Sequence, residues 1–339
     1  MATAAEFSAM QRAIVLADAV DFPPGPNPRV GAVILSPDGK QLGEGAHRGP
    51  GTAHAEVAAL QAAGESSRGA TAVVTLEPCA HVGRTGACSR ALIDAGIARV
   101  VFAQTDPNSV AAGGADELRA AGIVVERGLL ADEAYLLNEE WSIAVARQRP
   151  YVTLKIASSL DGRIAASDGS SRWITGPLAR DQVHLLRSQS DAVVVGTGTV
   201  IADDPELTDR RDDATWQPRP IVVGEREIPT DSKLNRRDPV LLKTHDLDHV
   251  LTTLYAMEFR RLLIEAGPTL ATAFIRSGLV DRMVWYIAPV LLGEGLPALS
   301  SLGITTIDEA SRWTRVSTQD VGQDVRIDLV PSASVRSGG

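Results

Sequence analysis

One imidazole and two thiols lie close together in this chain: His54 in His54-Ala55-Glu56, Cys79 in Glu77-Pro78-Cys79, and Cys88 after an eight-residue gap. Together they supply three of the four ligands of a tetrahedral Zn²⁺ and leave the fourth position for a water. An ion in such an open site lowers the pKa of that water from about 16 to about 7. If His54 opens a helix, Glu56 two positions later is turned by roughly 200°. That rotation removes Glu56 from the ligand face and suits it to moving protons beside the metal. Two blander readings use the same residues. A closed structural knot needs a fourth protein ligand, which only His47 or His81 could add nearby, because the chain has two cysteines in all. A Cys79–Cys88 disulfide also fits the spacing, although one bridge adds little to a chain that buries its own core. The open site is preferred because it alone accounts for Glu56 and the Pro-Cys step.

The order His-x-Glu, Pro-Cys, Cys resembles the zinc-dependent cytidine and nucleobase deaminases. Most of that superfamily spaces its cysteines by two residues. The longer run here, Pro78-Cys79-Ala80-His81-Val82-Gly83-Arg84-Thr85 through Cys88, is similar to the deaminase half of the bifunctional riboflavin-biosynthesis family, in which a deaminase precedes a reductase. Asn27-Pro28-Arg29-Val30-Gly31 and Thr105-Asp106-Pro107-Asn108 carry the same resemblance. It implies that Asn27 holds substrate; read alone, Asn27 is equally a turn residue.

The elements that must position these groups follow from pattern. Phe7, Met10, Ile14 and Ala17 fall at helical spacing. Residues 21–28 hold four prolines and must be a loop. The apolar run 30–35 reads as a buried strand, 54–63 as a helix stopping at Gly64, and 70–76 as the strand that delivers Cys79. Residues 88–95 read as a helix, 100–104 as a strand, 115–121 as a helix and 123–126 as a strand, an alternating α/β pattern. Cys79 at a strand end and Cys88 at a helix start can then meet above the carboxyl edge of a sheet. Residues 137–148 read as a polar helical link, with the boundary between two domains, 1–147 and 148–339, beside Arg149-Pro150.

In the second half, 151–157 reads as a strand, 177–190 as a helix and 192–195 as a strand running into a loop, Gly196-Thr197-Gly198-Thr199-Val200. A dinucleotide fingerprint fails there, because Ile201 occupies the third glycine position. The match is to reductases that resemble dihydrofolate reductase, and specifically to the second half of the riboflavin family. It is carried by Leu154-Lys155 with Ser159-Leu160-Asp161-Gly162, Trp173-Ile174-Thr175, Ala179-Arg180 with His184 and Arg187, and Asp191-Ala192. Gly196, Thr199-Val200, Asp203 with Pro205, Leu207-Thr208, Arg210, Glu265, Gly267 and Ile287-Ala288-Pro289 complete it. The fold class implied is α/β throughout: a cytidine-deaminase-like α/β/α zinc domain, then a dihydrofolate-reductase-like α/β domain.

The resemblance implies NADPH contacts from Ala157, Trp173, Thr199, Asp203 and the run Ala266, Gly267, Pro268, Thr269, Leu270, Ala271. It implies substrate contacts from Ser171, Arg187, Leu207, Arg210 and Glu265. Arg187 and Arg210 can clamp a phosphate through forked hydrogen bonds, and Lys155 and Asp203 are the polar groups set closest to the reacting carbon. The chain reads Glu265-Ala266-Gly267 where family members usually read Glu-Gly-Gly, which puts a methyl group on the path of the cofactor. The segment 212–226 lacks a recognisable counterpart of the cofactor contact expected around Val223.

Composition narrows the class further. With 339 residues, 44% hydrophobic and 22% charged, the chain is sized for two globular domains. Glu6, Arg12 and Asp18 interrupt any signal or membrane segment before Val20, so a cytoplasmic location is expected. A net charge of −9 and a pI near 5.2 disfavour nucleic-acid partners and leave room for a small phosphorylated pyrimidine substrate. A homo-oligomer is the expected assembly. A deaminase acting on free cytidine or RNA, and a zinc-stabilised binding module without activity, are the competing readings; ammonia release from each substrate separates them.

Overall fold

The structure, a computed structural model, describes residues 2–20, 25–80, 86–108 and 111–332. Part of the proline-rich loop, most of the stretch between the two cysteines, including His81, and the tail beyond Ser332 therefore lie outside the described residues. The chain divides into two compact units, Met1–Gln148 and Arg149–Gly339. The first ends where Gln148 takes a left-handed conformation (φ 53°) that closes the preceding helix.

The N-terminal unit contains α1 (Ala4–Asp18), β1 (Gly31–Leu35), β2 (Gln41–Ala46), α2 (Ala55–Ala63), β3 (Thr71–Leu76) and α3 (Cys88–Asp94). It continues with β4 (Arg99–Gln104), α4 (Gly114–Ala120), β5 (Val124–Arg127), α5 (Ala131–Leu137) and α6 (Glu139–Arg147). Its sheet runs β2-β1-β3-β4-β5. β1 is antiparallel to both neighbours, while β3, β4 and β5 are parallel, so the latter three send their carboxyl ends to one edge. Strand alternation divides the core into two layers. Ala32, Ile34, Ala72, Val74 and Val100 pack under α2, α3, α4 and α6, and Val33, Leu35, Val73, Val101 and Ala103 pack under α1 and α5. Two expectations change. Phe7 is 42% exposed and the buried stripe of α1 is Ala9, Met10, Ala13 and Ala17, because Gly31 lets β1 approach so closely that a Cβ there would lie 2.0 Å from the Ala13 carbonyl oxygen. The region around 137–148 is no polar link, since Trp141, Ala144 and Val145 at helical spacing are buried in this unit's core.

The C-terminal unit contains β6 (Tyr151–Ser159), β7 (Arg163–Ala166), α7 (Pro177–Ser188), β8 (Ala192–Gly196), α8 (Thr197–Asp203), β9 (Arg219–Val223) and β10 (Val240–Leu242). Then come α9 (Leu247–Ala256), β11 (Arg261–Ile264), α10 (Pro268–Arg276), β12 (Arg282–Ala288), β13 (Gly295–Pro297), β14 (Trp313–Val321) and β15 (Asp324–Pro331). The main sheet is ordered β10-β9-β8-β11-β6-β12-β15-β14, and β7 pairs with β13 apart from it. All pairings from β10 to β12 are parallel; β15 and β14 add an antiparallel margin. One face packs on α9 and α10 through Val152, Leu154, Val194, Ile264 and Phe274. The other packs on α7 and α8 through Val193, Val195, Leu263, Val284 and Tyr286. Buried carboxylates fix strand entry: Asp191 Oδ2 accepts the N–H groups of Arg260 at 2.6 Å and Arg261 at 2.8 Å, and Asp281 accepts that of Val152 at 2.9 Å. The segment read as a loop after Gly196 is helix α8. Gly and Thr are weak helix formers, so the packing of Val200 beneath the turn decides its conformation.

Candidate active sites

In the N-terminal unit the three expected ligands converge. His54 caps α2 with extended backbone, Cys79 follows β3, and Cys88 opens α3. His54 Nδ1 stands 3.1 Å from Cys88 Sγ and 3.7 Å from Cys79 Sγ, and the ligand atoms all lie within 4.8 Å of one another. A tetrahedral Zn²⁺ sets N···S edges of about 3.6 Å and an S···S edge of about 3.8 Å, so these side chains fit that ion. Both cysteines are free and buried, which leaves the disulfide reading without support. Their hydrogen bond separates their acidities: it holds Cys79 down at about 4 despite burial, helped by His54, and pushes Cys88 up. Among the described residues no fourth His, Cys, Asp or Glu joins the cluster. His47, the alternative ligand, is turned elsewhere.

Glu56 lies in the first turn of α2, buried, with its carboxyl against the Cys88 thiol. Burial raises its pKa to about 7, and the charge of Cys79 adds to that rise. Asn27 sits at the same site through His47. The His47 Nδ1–H faces the Ala53 carbonyl at 3.2 Å, so Nε2 accepts from the Asn27 amide at 2.8 Å and the Asn27 oxygen is left facing away. The loop carrying Asn27 is anchored by residues that sequence reasoning missed. Asn138 accepts the Arg29 N–H and donates to the Arg29 carbonyl, both at 2.8 Å, and Trp141 Nε1 donates to the Pro26 carbonyl at 2.9 Å. The spacing of Trp141, Ala144 and Val145 was the available signal.

In the C-terminal unit the expected residues gather at the carboxyl ends of the parallel strands, where ligands of such sheets bind. Lys155 lies in the middle of β6 and Ala157 later in it, Thr199 near the start of α8, Glu265 to Gly267 between β11 and α10, and Pro268 to Ala271 in the first turn of α10. Glu265 is the hub. It accepts from Arg187 Nε at 2.6 Å and Nη2 at 3.0 Å, and Lys155 Nζ is 3.6 Å away. Burial would raise its carboxyl, but Arg187 and then Lys155 outweigh that and hold it at about 2. The fork of Arg187 that the sequence reading aimed at a phosphate instead grips Glu265, with Nη1 on the Thr208 carbonyl at 2.9 Å. Arg210 is exposed and donates its backbone N–H to His184 at 3.2 Å. Ser171 is half-buried between β7 and α7. Trp173 is 65% exposed under the guanidinium of Arg180, 4.5 Å from its ring centre.

The remaining residues divide by burial. Asp203 is exposed at the end of α8, and Lys155 is tied to Glu265, so the structure does not pair the two. Leu207 and Ala271 are core side chains, which leaves only their backbone for a ligand. Ala266 is half-buried and packs against the core. Among Gly267, Pro268, Thr269 and Leu270, Gly267 caps α10 without a side-chain hydrogen bond, and Gly196 caps α8 in the same way. A Cβ on Gly267 would lie 3.7 Å from Thr199 Oγ1, so the two helix starts adjoin. Val223 pairs with Gly196, and Arg226 reaches the Gly198 backbone so closely that a Cβ there would lie 2.6 Å from its Nη2. Two adjoining helix starts whose amides lack side-chain caps, with a guanidinium beside them, suit the phosphates of NADPH. Arg226, in the segment that resisted assignment, was not foreseen.

Each unit has a match among known protein families. Residues 4–104 match the cytidine and deoxycytidylate deaminase zinc-binding region, and residues 150–327 match the RibD C-terminal domain. The chain is 44% identical to the riboflavin biosynthesis protein RibD of Mycobacterium tuberculosis over 90% of this chain and 91% of that one. It is 41% identical to that of Escherichia coli K12 over 95% and 98%. Among solved structures it is similar to Acinetobacter baumannii RibD (TM-score 0.89, 39% identity, 97% and 99% covered). It is also similar to a Thermotoga maritima diaminohydroxyphosphoribosylaminopyrimidine deaminase/5-amino-6-(5-phosphoribosylamino)uracil reductase (TM-score 0.82, 30% identity, 97% and 99% covered). With relatives this similar along nearly its full length, and with a deaminase zinc region and a reductase domain in one polypeptide, the chain belongs to the RibD family of bifunctional deaminase/reductases of riboflavin biosynthesis, which use Zn²⁺ and NADPH.

Proposed function

We propose that the N-terminal unit deaminates 2,5-diamino-6-(5-phosphoribosylamino)pyrimidin-4(3H)-one and that the C-terminal unit then reduces the ribosyl group of 5-amino-6-(5-phosphoribosylamino)uracil to ribityl. The observation that carries the reading is the convergence of His54, Cys79 and Cys88 beside the buried Glu56, in a chain that also holds the Glu265 hub. Zinc held by those three ligands supplies the acidity that makes water a nucleophile at neutral pH. Glu56 takes the proton of the attacking water and returns it to the amino nitrogen, which leaves as ammonia while the ring carbon keeps the oxygen. The Asn27 oxygen, turned away from His47, accepts from the amino or ring N–H of the pyrimidine.

In the second unit the capped-by-glycine starts of α8 and α10, with Thr199, Arg226 and the Ala266 to Ala271 run, would hold NADPH, whose chemistry is hydride donation. The ribose must open to a carbonyl or imine before its first carbon accepts hydride. Lys155, held beside Glu265, stabilises the charge that develops there; Asp203, exposed at the end of α8, enters this reading only as a second polar group implied by the family resemblance. Arg210, exposed near Thr208, with Ser171, binds the phosphoribosyl arm, and Arg187 aligns Glu265. The protein acts in the cytoplasm on a small molecule; among the described residues no helix is long and apolar enough to cross a membrane. As assembly we propose a homo-oligomer, supported by the nine-residue β14 at the margin of its sheet, an edge that proteins commonly cover.

Supplying the diaminopyrimidine with NADPH and identifying products by mass tests both steps. Glu56→Gln should retain zinc and release no ammonia. Turnover by that variant would remove Glu56 from the mechanism, and a deaminated but unreduced product from the unaltered protein would remove the second step.

A further inference from the structure

Glu77 is a carboxylate that neither reaction uses, yet it is buried directly before the Pro78-Cys79 step. Its backbone N–H donates to the Gln104 carbonyl at 2.8 Å, which joins the end of β3 to the end of β4. Its side chain then reaches across to the chain that follows β4. Oε2 accepts the Asp106 N–H at 3.3 Å, and Oε1 accepts those of Gly113 at 3.4 Å and Ala115 at 3.2 Å. Gly113 caps α4 with no side-chain hydrogen bond of its own, so Glu77 supplies from a distance the acceptor that a Ser or Asp cap would have given.

The backbone pinned in this way carries the residues that enclose Cys79. Ala111 packs against both Cys79 and Cys88, and its carbonyl accepts the Ala80 N–H at 3.0 Å. On the other side of Pro78, Gly114 approaches so closely that a Cβ there would lie 1.8 Å from the Pro78 carbonyl oxygen. Cys79 is thus set by neighbours on both sides, Gly114 lying between the two residues whose N–H groups Glu77 Oε1 accepts and Ala111 two residues before the first of them. The Cys88 N–H then points at Cys79 Sγ at 3.4 Å, and the Ser89 N–H at its carbonyl at 3.1 Å.

We propose that Glu77 is a positioning residue for the metal-ligating Cys79: by fastening the backbone at Asp106, Gly113 and Ala115 it holds the Pro78-Cys79 step and the Ala111 cover so that the sulfur meets His54 and Cys88 at ligand spacing. The inference rests on the reading of His54, Cys79 and Cys88 as zinc ligands. Glu77→Gln keeps the shape but turns an amide N–H₂ toward one set of backbone N–H groups, so part of the clamp is lost. Gly114→Ala disturbs the same support from its far side without touching the carboxylate.

The experiment measures zinc affinity by competition with a chromophoric chelator, and the thiolate charge-transfer band after Co²⁺ substitution. The proteins are the full-length wild type, Glu77→Gln, Gly114→Ala and Cys79→Ser. Glu77→Gln and Gly114→Ala should keep the wild-type circular dichroism and bind zinc 10- to 100-fold more weakly, the range for partners that orient a metal ligand. A carboxylate that merely stabilised the fold would lower the melting temperature of the metal-free protein and leave the affinity of the folded protein unchanged. Wild-type affinity and band in Glu77→Gln overturn the proposal, and so does a Glu77→Gln chain that stays unfolded at saturating zinc, since Glu77 is then a folding element. Wild-type affinity in Cys79→Ser would instead remove Cys79 from the ligand set, a failure of the reading beneath the proposal rather than of the clamp.

Discussion

Replacing Glu265 by Gln removes one charge from a cluster of three buried side chains while keeping its shape. Glu265 is 10% exposed, Arg187 12% and Lys155 18%, so solvent screens them little. The carboxyl is held at about 2 against an ordinary 4.5, a difference worth roughly 3 kcal/mol at neutral pH. Breaking a buried pair by removing one partner costs about 3–5 kcal/mol, so the two routes agree. Because the folded-state pKa is depressed, this contribution is complete above the unfolded value and is lost as pH falls toward 2. The gap between wild type and Glu265→Gln should therefore be about 3 kcal/mol at pH 7, roughly 1.5 kcal/mol at pH 3 and largely closed only by about pH 2. The two units require separate readouts. Urea unfolding followed by tryptophan fluorescence covers the pH range, since Trp173, Trp216, Trp285 and Trp313 all belong to the C-terminal unit, and hydrogen exchange in β6 and β11 localises the loss. A gap under 1 kcal/mol at pH 7, or one that does not narrow on acidification, would refute the electrostatic account of this cluster.

Lys155→Ala and Asp203→Ala, made separately, should leave ammonia release near wild type and lower NADPH oxidation by about 10² or more. Wild-type NADPH oxidation in both would show the reductase site to be misplaced. Trp141→Phe deletes the donor to the Pro26 carbonyl and should cost the N-terminal unit about 1–3 kcal/mol. It should also raise the deaminase KM while zinc affinity holds, because the Asn27 loop slackens and the metal ligands do not; an unchanged KM would deny Trp141 that part. Dialysis against a chelator should abolish ammonia release and spare NADPH oxidation on the deaminated substrate, and loss of both would show the metal to support more than the first site.

What was legible in the sequence was whatever the chemistry makes local. His54 with Glu56, and Pro78 with Cys79, each occupy one turn or one strand end, and the alternation of helices and strands after α2 makes β3, β4 and β5 parallel, so their carboxyl ends share one edge. The support of Asn27 was not legible, because Asn138 and Trp141 reach it across more than a hundred residues, and a polar residue at a helix start gives no hint of so distant a partner. α8 was hidden for another reason. Gly196, Thr197, Gly198 and Thr199 have poor helical propensity, and only the burial of Val200 and the strand pairing beside it select the helix.

Arg187 shows a limit that better pattern reading would not remove. A guanidinium offers the same forked donors to a phosphate and to a carboxylate, so the residue type announces a bidentate anion without saying which. Glu265, 78 residues later, occupies the fork. The consequence reaches the chemistry. With Arg187 engaged, the charge it brings serves to keep Glu265 ionised, and ionised Glu265 in turn holds Lys155 in the middle of β6. The guanidinium that the resemblance assigns to substrate is engaged by a carboxylate of its own chain, and it can meet substrate only together with Glu265.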